Sequence, residues 1–261
     1  MRMTRRVATL GMALMLVAPA CGGGQAEQAG QTGQADEDGG RGLTVLAAAS
    51  LTDVFQSLQE PYKVLHPSVE ITYSFGSSST LVEQVKQGVE AGLVATADEK
   101  TMGELVRAEQ LEERPQVFAL NSLTIIVEQG NPLNVQGLSD LAREDLKVVL
   151  AAEEVPAGAY ARQSLDAANV DVKPVSLEED VKAVVSKVSL GEADAGIVYV
   201  TDAKAAGDAV DSVPIPEDDN VVARYPIVAL DDDDKHSEDF IALVLSEDGR
   251  KALAEAGFDL P

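Results

Sequence analysis

From residue 43 onward, short apolar runs alternate with longer stretches in which apolar positions recur every three or four residues. The first run, 44–49, is followed by Leu51, Val54, Phe55, Leu58, Tyr62 and Leu65, the spacing of one helical face. Pro61 falls inside that face, so the helix is expected to kink or restart there, because proline lacks an N–H and its ring crowds the preceding turn. Residues 69–75 alternate like a strand, and Leu81, Val82, Val85 and Val89 make a second helical stripe. Strands are predicted at 93–96, 117–120 and 123–127, with Q-G-N-P at 129–132 as a turn. A second set follows: helix near 138–143, strand 146–151, helix 159–168, strand 172–176, helix 181–190 and strand 196–200. The last apolar run, 221–230, is broken by Arg224-Tyr225-Pro226. An amphipathic helix with Phe240, Ile241, Val244 and Leu245 and a shorter one near Lys251 close the chain. Strands alternating with helices predict an α/β fold with a parallel or mixed sheet covered on both faces.

The first 42 residues break this pattern. Residues 1–20 carry Arg2, Arg5 and Arg6, then an apolar stretch at 7–17 too short to span a bilayer, then small residues at Ala18 and Ala20. They are expected to be a signal peptide. Cys21, the sole cysteine, follows at once and precedes G-G-G and a polar tail, a setting in which burial in a core makes no sense. It is expected to be the lipidated first residue of a mature lipoprotein, anchored on the extracytoplasmic side of the membrane. Ala18 departs from the leucine that bacterial lipoproteins usually carry there. With one cysteine no structural disulfide can form. Residues 21–42 are, after the cysteine, mostly Gly, Gln, Ala, Asp and Glu with little apolar content, which cannot bury enough surface to offset chain entropy, and they read as a flexible tether.

The body, about 220 residues, suffices for one large domain or two smaller ones. The net charge is −24, and removal of the leader's three arginines takes it to −27. Such a surface argues against nucleic acid and anionic membrane surfaces as partners. It says nothing about the sign of a ligand in a pocket. There is no Trp, and no platform for stacking sugars or bases is evident.

Much catalytic chemistry is missing. The two histidines, His66 and His236, sit in polar surroundings, and there is no G-x-S-x-G, H-E-x-x-H, C-x-x-C or Walker loop. The run Asp231 to Asp234 lacks the glycine and spaced ligands of a calcium loop and reads as solvated. What remains is a set of small and hydroxyl residues at turns from strand into helix. Ser50 with Asp53, and Thr80 with Glu83, have capping-box spacing. Ser77, Ser78 and Ser79 after Gly76 are more than a cap requires. V-P-A-G-A-Y at 155–160 enters a third helix with Pro156 near its first position. At the fourth turn, Ser176 with Glu179 predicts a helix from 177, whereas Asp180 as N-cap starts it at Val181 and leaves the Val181 N–H free. Helix N-termini carry free N–H donors and the positive end of the dipole, so several converging on one cleft bind an anion without Lys or Arg. A serine hydrolase or phosphatase using Ser50 or Ser78 is the competing reading.

The blocks V-L-A-A-A-S-L-T-D at 45–53, F-G-S-S-S-T-L at 75–81, N-S-L at 121–123, V-P-A-G-A-Y at 155–160, E-D-V at 179–181, G-I-V-Y at 196–199 and Y-P-I-V at 225–228 run in order along the body. Together they resemble the periplasmic molybdate-binding proteins of ABC transporters. The resemblance implies a two-lobed type II periplasmic-binding-protein fold with two crossover strands and the ligand in the interlobe cleft. Lobe I would comprise 43–121 plus 226–261 and lobe II 122–225. It implies a non-enzymatic protein that binds molybdate, and tungstate nearly as well, and delivers it to a membrane permease, acting as a monomer with no cofactor and no bare metal ion. Position by position, Ser50, Ser78 and Tyr199 match hydroxyl donors, and Ala157 and Val181 match backbone N–H donors, which favours Asp180 as the N-cap. One position departs: Gly92 stands where the family usually has an acidic residue.

Overall fold

The computed structural model describes residues 42–111, 113–231 and 233–261. The expected signal peptide, Cys21 and residues 22–41 of the expected tether lie outside the described residues.

The first described strand begins at Leu43, where the hydrophobic pattern places the start of the body. Strand β1 (Leu43–Ala48) runs into a 3-10 turn (Ala49–Leu51), then α1 (Thr52–Ser57) and α2 (Gln59–Leu65). The break at Leu58 puts Pro61 in the first turn of α2, where a missing N–H leaves no hydrogen bond unmade. Next come β2 (Ile71–Gly76), α3 (Ser78–Lys86), β3 (Leu93–Ala95), α4 (Glu99–Arg107) and the long β4 (Gln116–Glu128). The second set is β5 (Val148–Ala151), α5 (Pro156–Ala167), β6 (Ser176–Glu178), α6 (Val181–Ser189), β7 (Ala195–Tyr199), α7 (Val200–Ala206) and β8 (Val210–Pro214). Strand β9 (Val222–Ala229) and helices α8 (Lys235–Leu245) and α9 (Glu247–Ala256) complete the body. No described helix is long and apolar enough to cross a membrane.

The strands follow the order β2-β1-β3-β9-β4-β7-β5-β6, with β8 added on β4. One half has β1 parallel to β2 and β3; the other has β5 parallel to β6 and β7. The antiparallel strands β4 and β9 join them. β4 pairs β9 as far as Ser122 and then β7 from Leu123, so the sheet changes partners within one continuous strand. This is the α/β, two-lobed architecture with two crossing strands. The period-two alternation of a strand sorts side chains to opposite faces. On β1, Val45 and Ala47 enter the main core, while Leu46 enters a second cluster under α3 and α4 with Leu81, Val82, Met102 and Leu105. Both faces of β1 are therefore buried, which is why its sequence is an unbroken apolar run.

Several sequence expectations need correction. The runs 117–120 and 123–127 are one strand. The run 221–230 is uninterrupted, because Pro226 falls opposite Val117, where the β4–β9 register shifts, and its missing N–H disturbs little. The strand expected at 172–176 forms at 176–178, and the helix expected at 138–143 is a 3-10 turn, Leu138–Ala142. Helices α4 and α7 and strand β8 were not predicted.

Candidate ligand-binding cleft

A narrow cavity of about 10 Å³ lies between the two halves of the sheet, and Ser50, Ser78, Ala157, Val181 and Tyr199 all line it. Each is buried, at 5% exposure or less. The structure thus brings together all five residues named from the sequence, from five separate elements.

Ser50 does not cap a helix. The chain leaves β1 through the 3-10 turn, which makes Leu51 the N-cap of α1, without a side-chain cap bond. The Ser50 side chain instead meets the hydroxyl of Tyr225, with Oγ and OH 3.0 Å apart. Thr80 and Glu83 do not form a capping box either. Helix α3 starts three residues earlier than that spacing predicts, and Ser77 is its N-cap, accepting from the Thr80 N–H at 3.2 Å. Glu83 faces solvent and pairs with Lys86. Ser78, at the first helical position, accepts a hydrogen bond from the Ala97 N–H at 2.9 Å. Its own O–H is left to donate elsewhere.

Helix α5 begins with Pro156, so Ala157 is its second residue and its N–H has no acceptor one turn back. Gly158 explains the V-P-A-G-A-Y spelling. A Cβ there would collide with the backbone carbonyls of Ala151 and Ala152, so only glycine lets the start of α5 press against the end of β5. At α6, Asp180 is the N-cap and its Oδ1 accepts from the Ala183 N–H at 2.9 Å. This decides between the two starts open from the sequence: the helix begins at Val181, whose N–H is left over.

Tyr199 ends β7 with its hydroxyl buried and without a hydrogen-bond partner. Its ring meets Tyr225 edge-on, with centroids 5.8 Å apart. A buried hydroxyl without a partner is costly, by about 1–3 kcal/mol, so its place at the cavity calls for a functional reason. Burial raises the pKa of Tyr199 well above the usual phenol value, and of Tyr225 likewise, so both remain O–H donors.

Sequence reasoning missed the residues behind this shell. Asn121 Nδ2 donates to Thr201 Oγ1 at 2.8 Å and lies 3.4 Å from the Tyr225 hydroxyl. Either hydroxyl of the Ser50–Tyr225 pair can donate; when Tyr225 donates, the Ser50 O–H is free for the cavity. The signal was present in N-S-L and Y-P-I-V, which had no assigned role; the pairing itself joins residues 175 positions apart.

No Lys, Arg, His or Cys lines the cavity among the described residues, and the one carboxylate there, Asp180, is engaged as a cap. His66 stacks on Tyr62, meets His236 edge-on and lies 3.7 Å from Asp239, as part of another cluster. Gly92 also finds its reason. A Cβ would strike Ser237, Asp234 and Leu43, and Asp234, which caps α8, places its carboxylate against this position.

Two α/β halves joined by crossing strands around a buried cleft are the architecture of a solute-binding protein. The family of bacterial extracellular solute-binding proteins matches residues 43–259, and the chain belongs to it. The molybdate-binding protein ModA of Mycobacterium tuberculosis (strain ATCC 25618 / H37Rv) is 37% identical over 225 residues, covering 85% of this chain and 86% of that one. Among solved structures, the periplasmic molybdate-binding protein of Azotobacter vinelandii superposes with a TM-score of 0.71 at 18% identity, covering 84% and 99% of the two chains. The sulfate-binding protein SubI of M. tuberculosis H37Rv reaches 0.73 at 18% identity, covering 84% and 86%. At such identities the likeness establishes the fold and does not choose among anions.

Proposed function

We propose that this protein captures molybdate, and tungstate almost equally, in the interlobe cleft through Ser50, Ser78, Ala157, Val181 and Tyr199, and hands it to the permease of an ABC importer. The observation that carries the reading is the convergence of three hydroxyls and two unused helix-start N–H groups on one buried cavity without a cationic side chain. Molybdate is fully deprotonated at neutral pH, so a shell of donors suits it. Hydrogenphosphate carries a proton and needs an acceptor; the single carboxylate lining the cavity, Asp180, has its Oδ1 taken by the Ala183 N–H, which leaves Oδ2 as the one carboxylate oxygen that could serve. Charge-assisted hydrogen bonds contribute about 1.5–3 kcal/mol each. Five of them support a micromolar or tighter site, about −8 kcal/mol, after ordering and lobe closure are offset.

The binding lobes are assigned as 43–121 with 226–261 and as 122–225, the chain acts as a monomer without a cofactor, and Cys21 carries the lipid anchor on the extracytoplasmic side. A hydrolytic role is disfavoured because Ser50 faces a tyrosine hydroxyl and Ser78 a backbone N–H, neither of which is a base poised for a nucleophile. Calorimetric titration with molybdate, tungstate, sulfate, phosphate and arsenate tests the proposal. Micromolar or tighter binding of the first two and weak binding of the rest is expected. Preference for sulfate would replace the ligand with the smaller anion, and turnover of chromogenic esters would overturn the binding-protein reading.

A further inference from the structure

The starts of α1 and α6 face each other beside the cleft. Ser50 is followed three residues later by Asp53, and Val181 is followed at once by Lys182. The Lys182 ammonium lies 2.7 Å from Asp53 Oδ2 and 3.7 Å from Asp202 Oδ1. Asp53 belongs to the half of the sheet that carries Ser50; Lys182 and Asp202 belong to the half that carries Val181 and Tyr199. Helix α6 packs directly against the Ala49–Leu51 turn. The side chains differ sharply in exposure: Asp53 is 58% exposed, Lys182 32% and Asp202 fully buried. The lysine therefore reaches from a buried anchor on its own lobe to a partner at the rim of the other.

We propose that Lys182 is a positioning residue that latches the two lobes shut, holding Asp53 across the cleft while Asp202 fixes its base, and so sets how long the bound oxyanion is retained. The ligand part rests on the function proposed above. Lys182 is not among the residues lining the cavity. Its charge is paired closely with Asp53, so it acts on closure and adds little attraction for the anion. A latch formed after the anion has entered slows release and leaves capture untouched. A cation that attracted the anion would speed capture, and its loss would slow it.

The experiment compares the full chain with Asp53→Asn, Lys182→Met, Lys182→Arg and the Asp53→Asn/Lys182→Met double variant. Stopped-flow mixing with molybdate reads association and dissociation separately. Spin labels at Gln87→Cys and Ser189→Cys, on opposite lobes and in a Cys21→Ser background, read the interlobe distance without ligand. Both label positions are exposed. The pair is partly solvated, so its loss is expected to raise the dissociation rate about three- to fivefold. Association should be unchanged, the double variant should be no faster than either single one, and Lys182→Arg should stay near wild type. The label distances should lengthen in Asp53→Asn and Lys182→Met. Asp53→Asn sits at an exposed position and keeps the fold, so an unchanged dissociation rate and unchanged distance in that variant overturn the latch. Slower association in Lys182→Met would also overturn it, by making Lys182 an attracting charge. If wild type binds no molybdate while the distances lengthen as expected, the ligand assignment fails and the latch stands.

Discussion

The two walls of the cleft solve one problem in different ways. The Ser50–Ser78 wall offers side-chain hydroxyls, each already braced by a protein partner: Tyr225 for Ser50 and the Ala97 N–H for Ser78. The opposite wall offers backbone N–H groups at the starts of α5 and α6, together with a Tyr199 hydroxyl that has no partner. On the first wall, binding and stability share the same atoms. On the second they are separable, because the donors belong to helix ends and to an idle hydroxyl. That difference dictates what substitutions should do.

The largest effect should come from disturbing a helix start. At Gly158 any side chain meets the Ala151 and Ala152 carbonyls, and backbone cannot retreat as a flexible side chain would. Gly158→Ala is expected to push the start of α5 away from β5, to lose measurable oxyanion binding and to destabilise the fold by about 1–3 kcal/mol, as overpacking does. Titration calorimetry and thermal unfolding check both; retained affinity would mean that the position of Ala157 is unimportant.

Asp202 tests the electrostatics behind the second wall. Burial raises its pKa from 3.8 to about 7, against the opposing pull of Lys182. The folded state therefore binds more protons than the unfolded state between about pH 4 and 7, and this group's stabilising contribution is present below pH 4 and lost as pH rises through 7. Asp202→Asn abolishes the titration. Its unfolding free energy relative to wild type, read by denaturant titration, should be near equal at pH 4 and rise to a plateau above pH 7, at most about 4 kcal/mol at 1.36 kcal/mol per pKa unit. A difference that does not vary with pH would show that Asp202 ionises normally.

Ser78→Ala and Tyr199→Phe contrast the walls directly. Each removes a hydroxyl facing the proposed dianion and should weaken binding at least tenfold, about 1.5–3 kcal/mol. Only Ser78→Ala should also lower stability, by about 1–3 kcal/mol, because it strands the buried Ala97 N–H. Tyr199→Phe deletes an unpartnered polar atom and should leave the unfolding temperature unchanged or raised. Equal stability losses would erase the distinction between braced and idle donors.

The same asymmetry explains what could be read from sequence. Helix starts and small-residue turns are local, so the start of α6 at Val181 and all five cavity residues were legible once the resemblance was added to the spacing. The bracing of Ser50 by Tyr225 and Asn121 was not, since no local pattern links strands brought together only by the crossing of β4 and β9. The missed helices are short and bury few apolar side chains. In α4 the buried apolar side chains are Met102 and Leu105, with Gly103 between them, and in α7 Ala203 is the only one. The capping spacings of Ser50 and Thr80 misled because a 3-10 turn and an earlier serine took those roles.

A last prediction isolates a backbone donor without touching a side-chain hydroxyl. Val181 is the first residue of α6, the one helical position where proline is favoured, because its fixed φ fits and its absent N–H would have no helical acceptor. The residue before it, Asp180, has φ −154° and ψ 174°, the extended conformation that a following proline demands. The cap survives too, since Asp180 accepts from Ala183 and not from Val181. Val181→Pro should therefore keep helix content and the N-cap bond while deleting one donor. Affinity should fall about tenfold, the lower end of 1.5–3 kcal/mol for a hydrogen bond to a charged group. Stability should change by less than about 1.5 kcal/mol, because the substitution is nearly volume-conserving. Circular dichroism confirms the fold and calorimetry reads the affinity. A folded variant that binds as tightly as wild type would remove the Val181 N–H from the site, and leave the anion held by hydroxyls and the start of α5 alone.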